Sequence, residues 1–295
     1  MKTSRSLKRN IVTRRALICG AAAAIAAPSL SFAASAQGRR KVYLAGRQRM
    51  LTQRVAMAAY LAAAGIDEDY HLAIADEGRR EFQASLNILR QGNGADIAEP
   101  ESAPPVIAAI DETERTWAPL AGELDRFVTS GVLSKNDFVP LHKHNLEALS
   151  ATEMLTDELV QKYGSIVDNA NLAKAIKLAS DLRLLSQKMS KEAAEVALHV
   201  FGGESRHELI ASLEEFERKL NFLRHGDIYH HIPKPPADIA ELLERTLANW
   251  LDVKDSLSAI ALARRPDELD LLVVSDLHDP LLESCEAVVR RYAKV

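Results

Sequence analysis

The chain has 295 residues, 37 of them basic and 41 acidic, for a formal net charge of −4. The acidic excess, which grows to −10 once the basic first 36 residues are left out, argues against nucleic acid or an anionic membrane as partner, and two cysteines exclude a disulfide scaffold. The length suffices for two domains that each bury a core.

The first residues read as an export signal. Met1–Arg15 holds six basic residues and no acid, Ala16–Ala27 is apolar, Pro28 breaks the run, and Ala34-Ser35-Ala36 is an A-x-A cleavage site. This predicts a signal peptide over residues 1–36, cleaved after Ala36, because about twelve apolar residues are too few to span a bilayer. Thr13-Arg14-Arg15-Ala16-Leu17-Ile18 has the form of a twin-arginine signal, with an ordinary basic n-region as the alternative. Ile18 before Cys19 spoils a lipobox, so no lipid anchor is expected. The mature chain then keeps 31 basic and 41 acidic residues, a net charge of −10, and a single cysteine. No later segment is long and apolar enough to span, so a periplasmic product without membrane insertion is expected. Leu281, Leu282, Val288 and Val289 around Cys285 predict a buried thiol. No CxxCH is present, and no cofactor is expected.

Alanine, leucine, glutamate and arginine periodicity predicts helices near 40–64, 68–91, 104–130 and 136–163. A second set follows near 166–201, 205–225, 237–264 and 267–293. Ser205-Arg206-His207-Glu208 reads as a capping box opening the sixth helix. Pro119 and Pro280 fall inside helices and predict kinks or breaks. Gly92–Pro105 and Gly226–Pro236 are corresponding loops.

The two sets are copies. Glu81–Gly92, EFQASLNILRQG, and Glu215–Gly226, EFERKLNFLRHG, share seven of twelve residues at an offset of 134. The same offset pairs Leu44–Val55, LAGRQRMLTQRV, with Leu178–Met189, LASDLRLLSQKM. The two tryptophans, Trp117 and Trp250, are 133 apart. The period is too long for a solenoid and means domain duplication. The predicted fold is all-α: two tandem antiparallel four-helix bundles, residues 38–163 and 166–293. Leu155, Leu159, Tyr163, Ile166, Ala170, Ala173 and Ile176 keep helical spacing across the junction, which favours one continuous helix joining the modules end to end. A break at Gly164-Ser165 or Asp168-Asn169 would instead let them lie side by side.

Ala45–Arg54, AGRQRMLTQR, resembles the AGRQRMLSQR signature of the PilJ/NarX-like sensory domain. That family forms the N-terminal region of type IV pili methyl-accepting chemotaxis transducers and the periplasmic input of nitrate/nitrite sensor kinases. The match is weaker in the second copy, where Ser180 replaces Gly46 and Asp181 replaces Arg47. The resemblance implies a four-helix bundle that binds a small anion. In the nitrate sensors a glycine and an arginine of the signature helix, here Gly46 and Arg49, meet their copies at a dimer interface. Arg183 repeats the arginine. No transmembrane segment precedes the signature helix and no HAMP, kinase or methyl-accepting region follows, so signalling is expected to need a membrane-bound receptor or sensor kinase.

The residues fit that chemistry. Gly46, Arg49 and Gln53 fall at i, i+3 and i+7 on one helical stripe, and Ser180, Arg183 and Gln187 repeat it. The apolar stripe is a different one: Leu44, Gln48, Leu51 and Val55, then Leu178, Leu182, Leu185 and Met189. Glycine permits close approach, and arginine offers a planar fork of donors suited to nitrate, nitrite or carboxylate, with Arg49 as main charge partner. The competing expectation is that Arg49 and Arg183 pair with internal carboxylates such as Glu81 and Glu215.

Other groupings are weaker. His225, His230 and His231 fall within seven residues and could ligate a metal, against a solvated loop. His142 and His144 read as surface, Asp111–Glu114 as a solvated face, and Trp117 and Trp250 as core anchors. No nucleophile elbow, P-loop, HExxH or paired-cysteine motif appears, which argues against an enzyme. The alternatives to a ligand-binding sensor are an interaction module without ligand and a metal-binding protein using the His225–His231 loop.

Overall fold

The computed structural model describes residues 23–294 apart from 96, 164–169 and 264–265, with side chains from Ala36 onward. Among the described residues eight helices follow in order: α1 (Ala23–Ala63), α2 (Glu68–Gln91), α3 (Pro104–Ser130), α4 (Phe138–Tyr163), α5 (Ala170–Leu198), α6 (Gly203–His225), α7 (Ala237–Leu262) and α8 (Glu268–Tyr292). Among the described residues no strand forms; one isolated bridge joins Asp227 and Ile232. α1 packs on α2 and α4, and α3 on α2 and α4; α5 to α8 repeat that ring. The all-α bundle architecture expected from the sequence is therefore observed.

The repeated sequence occupies equivalent places. Phe82 stacks on Trp117 with centroids 3.7 Å apart, and Phe216 packs on Trp250 at 4.7 Å. Both tryptophans are buried. Arg90 pairs with Asp111 and Glu114, as Arg224 does with Glu244. Gly92 and Gly226 end α2 and α6 at φ 75° and 70°, a backbone that L side chains rarely adopt. A Cβ at Gly92 would also lie 2.7 Å from the Ile97 carbonyl oxygen.

Four expectations are corrected. The modules are not joined end to end, because α1 and α5 lie against each other in parallel. Gly46 faces Ser180, Arg49 meets Asp181, and Arg54 meets Gln187. The described part of α4 runs to Tyr163 and that of α5 from Ala170; the possible break points Gly164-Ser165 and Asp168-Asn169 lie outside the described residues. The physical reason is a face of small residues, Ala45, Gly46, Ala179 and Ser180, that lets two helices approach closely. Second, Ser205 does not cap α6. Gly202, at φ 60°, takes the N-cap position, α6 starts at Gly203, and Ser205 is buried with its hydroxyl unpaired. Third, of the kinks or breaks expected at Pro119 and Pro280, no break occurs, and α3 and α8 continue through both. The Pro280 carbonyl accepts a bond of 2.9 Å from the Asn249 amide, which holds α7 to α8 beside it. Fourth, α1 starts well before residue 40, since the alanine-rich stretch ahead has high helix propensity.

Removing the Trp117 side chain should cost about 3–5 kcal/mol of unfolding free energy, as for other large core truncations. Urea denaturation of Trp117→Ala is the check; a loss below about 1 kcal/mol would contradict the Phe82–Trp117 core.

Candidate functional site

The interface between the signature segments of α1 and α5 gathers most of the polar groups singled out in the sequence. Gly46 marks the closest approach: a Cβ there would lie 2.9 Å from Arg183 Nη2 and 3.5 Å from Ser180 Oγ. Arg49, only 8% exposed, donates from Nη1 to Asp181 at 3.1 Å and from Nη2 to Glu153 at 3.4 Å, while its Nε is buried without a partner. Asp181 also holds Lys219 at 2.6 Å.

Arg183 is fully buried. Its Nη1 donates to Glu286 at 2.8 Å, and its guanidinium carbon lies 5.2 Å from the Tyr43 ring centroid. Its Nε and Nη2, one edge of the guanidinium fork, have no hydrogen-bond partner. Glu286 further accepts from the Tyr43 hydroxyl, Arg47 and Arg290. Burial pushes its carboxyl up, but the Arg183 charge and the bonds from Tyr43 and Arg183 outweigh that and bring it down to about 2.

The carboxylates that pair the signature arginines differ from those expected. Glu81 binds Arg47, and Glu215 binds Lys219 and Arg218. Glu153 and Glu286 take the arginines instead. They sit 133 residues apart on the fourth helix of each module, the spacing of the tryptophans. That offset, applied to acidic residues, would have found them.

Gln53 and Gln187 are buried but serve a different purpose. Gln53 donates to Asn145 at 3.2 Å, and Asn145 donates to the Thr52 carbonyl at 2.7 Å. Gln187 lies 3.5 Å from the His278 carbonyl and accepts from Arg54 at 3.1 Å. Each glutamine ties the first helix of its module to the fourth. A cavity of about 200 Å³ opens between α1, α4, α5 and α8, and Gly46, Arg49 and Ser180 line it while Gln53, Arg183 and Gln187 do not. Arg183 stands directly behind Gly46.

Three further buried clusters had no signal in the sequence reading. His71 on α2 bonds Ser275 on α8 at 2.9 Å, and its ring lies 5.7 Å from that of His278. Asp279 beside them takes Arg54 at 2.6 Å and the Tyr70 hydroxyl at 2.5 Å. Burial, and then the neighbouring His278, lower the His71 pKa to about 4; burial lowers that of His278 too. On the other flank His142, expected at the surface, is half-buried. It reaches across to Glu195 on α5 at 3.1 Å and packs on Phe201, so α4 meets the second module there. Lys191 also binds Glu195, and Lys188 binds Glu192. Third, Glu101 accepts from Lys41 at 2.8 Å, Lys162 at 2.5 Å and Tyr163 at 2.9 Å. Burial raises its carboxyl, yet the bonds from Lys162 and Lys41, helped by the Ala103 N–H, bring it to about 2.

His225, His230 and His231 are exposed, and His230 sits 3.2 Å from Asp227. Among the described residues no group of three or more histidine, cysteine or acidic side chains is arranged to hold a metal ion. Cys285 is buried, and burial pushes its thiol far up, so it is inert. Among the described residues no helix is long and apolar enough to cross a membrane.

Two helical bundles in tandem meet through the polar signature segments of their first helices. Residues 35–133 and 168–274 each match the family described as type IV pili methyl-accepting chemotaxis transducer N-term, PilJ. The two matches cover more than half of the chain, and the protein belongs to this family of signalling domains. No curated protein gives a significant sequence match.

The histidine pair makes stability pH-dependent with a definite sign. The folded pKa of His71, about 4, lies below its ordinary 6.5, so the unfolded chain holds more protons between those values. Stability should therefore fall as pH drops from about 6.5 toward 4, by up to about 3 kcal/mol at 1.36 kcal/mol per pKa unit. Below about 4.5, Glu101, Asp279 and Glu286 add to the loss as their carboxylates are protonated toward their folded pKa values of about 2. In urea titrations across that range His71→Asn should flatten the upper part of the slope; an unchanged slope would refute the assignment.

Proposed function

We propose that the protein is a periplasmic sensory component in which two PilJ modules form, within one chain, the equivalent of a dimer of signature helices. It takes up a small anion such as nitrate or nitrite at Gly46 and relays that event to a membrane-bound receptor or sensor kinase. The observation that carries this reading is the Nε–Nη2 edge of Arg183, buried without a partner behind Gly46. A buried donor left unpaired costs about 1–3 kcal/mol; Arg183 does not line the cavity at Gly46, so an anion there relieves that cost by drawing the guanidinium edge toward it. Arg183 rather than Arg49 is then the main charge, because Arg49 already lies between Asp181 and Glu153. One observation favours the alternative of an interaction module without ligand: both signature arginines hold internal carboxylates.

Calorimetry with nitrate and nitrite separates the two. Binding that weakens about ten- to a hundredfold in Arg183→Gln supports the anion site, at roughly 1.5–3 kcal/mol for a charge-assisted bond. No heat from either anion, with a stability loss of about 3–5 kcal/mol in the variant, would leave a purely structural ion pair.

Export supplies the second test. The signal reading requires a mature chain that starts at Gln37, which N-terminal sequencing of the periplasmic fraction reads directly. Substituting Arg14 and Arg15 by lysine should block export by the twin-arginine route; undiminished export would assign the general secretory route.

A further inference from the structure

The cavity at Gly46 has more apolar wall than an inorganic oxyanion needs. Val42 and Tyr43 of α1, Val160 of α4, Ile176 of α5 and Val289 of α8 face it. Its polar groups are divided between two ends. At one end stand Gly46, Ser180 and Arg49, the last 8% exposed with an unpartnered Nε. Behind them is the unpaired edge of Arg183. Toward the opposite end stand Arg39 and Lys174, while Lys177 lies 3.7 Å from Asp157, the one acidic residue of the lining among the described residues. From Arg39 to Arg49 the α1 wall runs roughly 15 Å, at 1.5 Å per residue.

We infer that the ligand is a monocarboxylate with a compact apolar body, its head at the Gly46 end and its body between α1, α4, α5 and α8. The inference rests on the anion-binding reading above and names the class of anion. Nitrate has four heavy atoms and would leave the valine and isoleucine walls in contact with water. A carboxylate matches the same planar fork and brings apolar surface for those walls. The volume of about 200 Å³ is below the roughly 300–1,000 Å³ of drug-sized sites, which limits the body to a short or medium chain or a single ring. Lys174 and Lys177 are exposed, so they attract the anion and speed its capture more than they hold it.

The test is calorimetry of the full mature chain with nitrate and with acetate, butanoate, hexanoate and octanoate. Affinity should rise about three- to fourfold per methylene until the cavity is full and then level off. Arg183→Gln should weaken every ligand by a similar factor. Ala173→Phe, which narrows the cavity from a partly exposed position, should move the plateau to shorter chains; circular dichroism verifies that each variant is folded. If nitrate binds and the carboxylate series is flat, the inference falls while the anion site stands. If neither nitrate nor any carboxylate binds the folded chain, both fall. If the length dependence survives Arg183→Gln unweakened but is lost in Arg39→Gln, the head sits at the Arg39 end and the inference is overturned.

Discussion

The parallel approach of α1 and α5 is set by what their facing surfaces lack. Ala45, Gly46, Ala179 and Ser180 offer little or no side chain, and even one methyl group on Gly46 would press on Arg183. Close approach carries Arg47, Arg49, Arg54 and Arg183 into an interface largely shielded from water. A buried charge without a partner is expensive, so each arginine requires a carboxylate. α2 supplies Glu81, α4 supplies Glu153, α5 supplies Asp181, and α8 supplies Asp279 and Glu286. The placement of these helices around α1 and α5 is thus tied to one electrostatic requirement. Such pairs add little net stability over apolar packing, but removing one partner costs several kcal/mol.

Duplication within one chain lets the two halves of that interface differ. In a symmetric dimer each signature helix would present identical groups to its copy. Here Arg47 has Asp181 as its counterpart, and the two sides separate electrostatically. Around Arg49 the carboxylates of Asp181 and Glu153 face one arginine and Lys219. Around Arg183 the guanidinium groups of Arg47 and Arg290 join in, with Glu286 shared among them. The second flank shows the same divergence. The His71–Ser275 bond between α2 and α8 has as its counterparts Ser205 on α6 and His142 on α4, and there His142 turns to Glu195 instead.

Most of the fold was legible because it depends on local periodicity and on a repeat that preserves it. The glycine stops at 92 and 226 and the aromatic pairs Phe82–Trp117 and Phe216–Trp250 follow directly from the duplicated segments. What escaped were contacts between elements far apart in sequence. The spacing from Leu155 to Ile176 is what an uninterrupted helix requires, yet the small face around Gly46 and Ser180 drives the modules together, and local spacing carries no information about that gain. The arginine partners were missed for the same reason: Glu81 repeats with Glu215 and was the visible choice, whereas Glu153 and Glu286 repeat only at the offset of 133. Gln53 and Gln187 share the stripe of the arginines but point to the fourth helix. Helical spacing gives a face, and the neighbours of that face decide what each residue on it does.

The ion network around Arg183 also bears on how a ligand there would act. A ligand shifts a conformational equilibrium only by its difference in affinity for two states, so a pair that can exchange partners cheaply is a suitable place to couple binding to movement. If an anion drew Arg183 away from Glu286, that carboxylate would keep the Tyr43 hydroxyl, Arg47 and Arg290. No bare buried charge would result, and the several kcal/mol that normally oppose breaking a buried pair would be largely avoided. Arg49 has less freedom, because Asp181 ties it to Lys219 across the interface. Movement would then centre on α8, which carries Glu286, Asp279 and His278 along one helix and so joins the Arg183 cluster to the histidine pair on the flank.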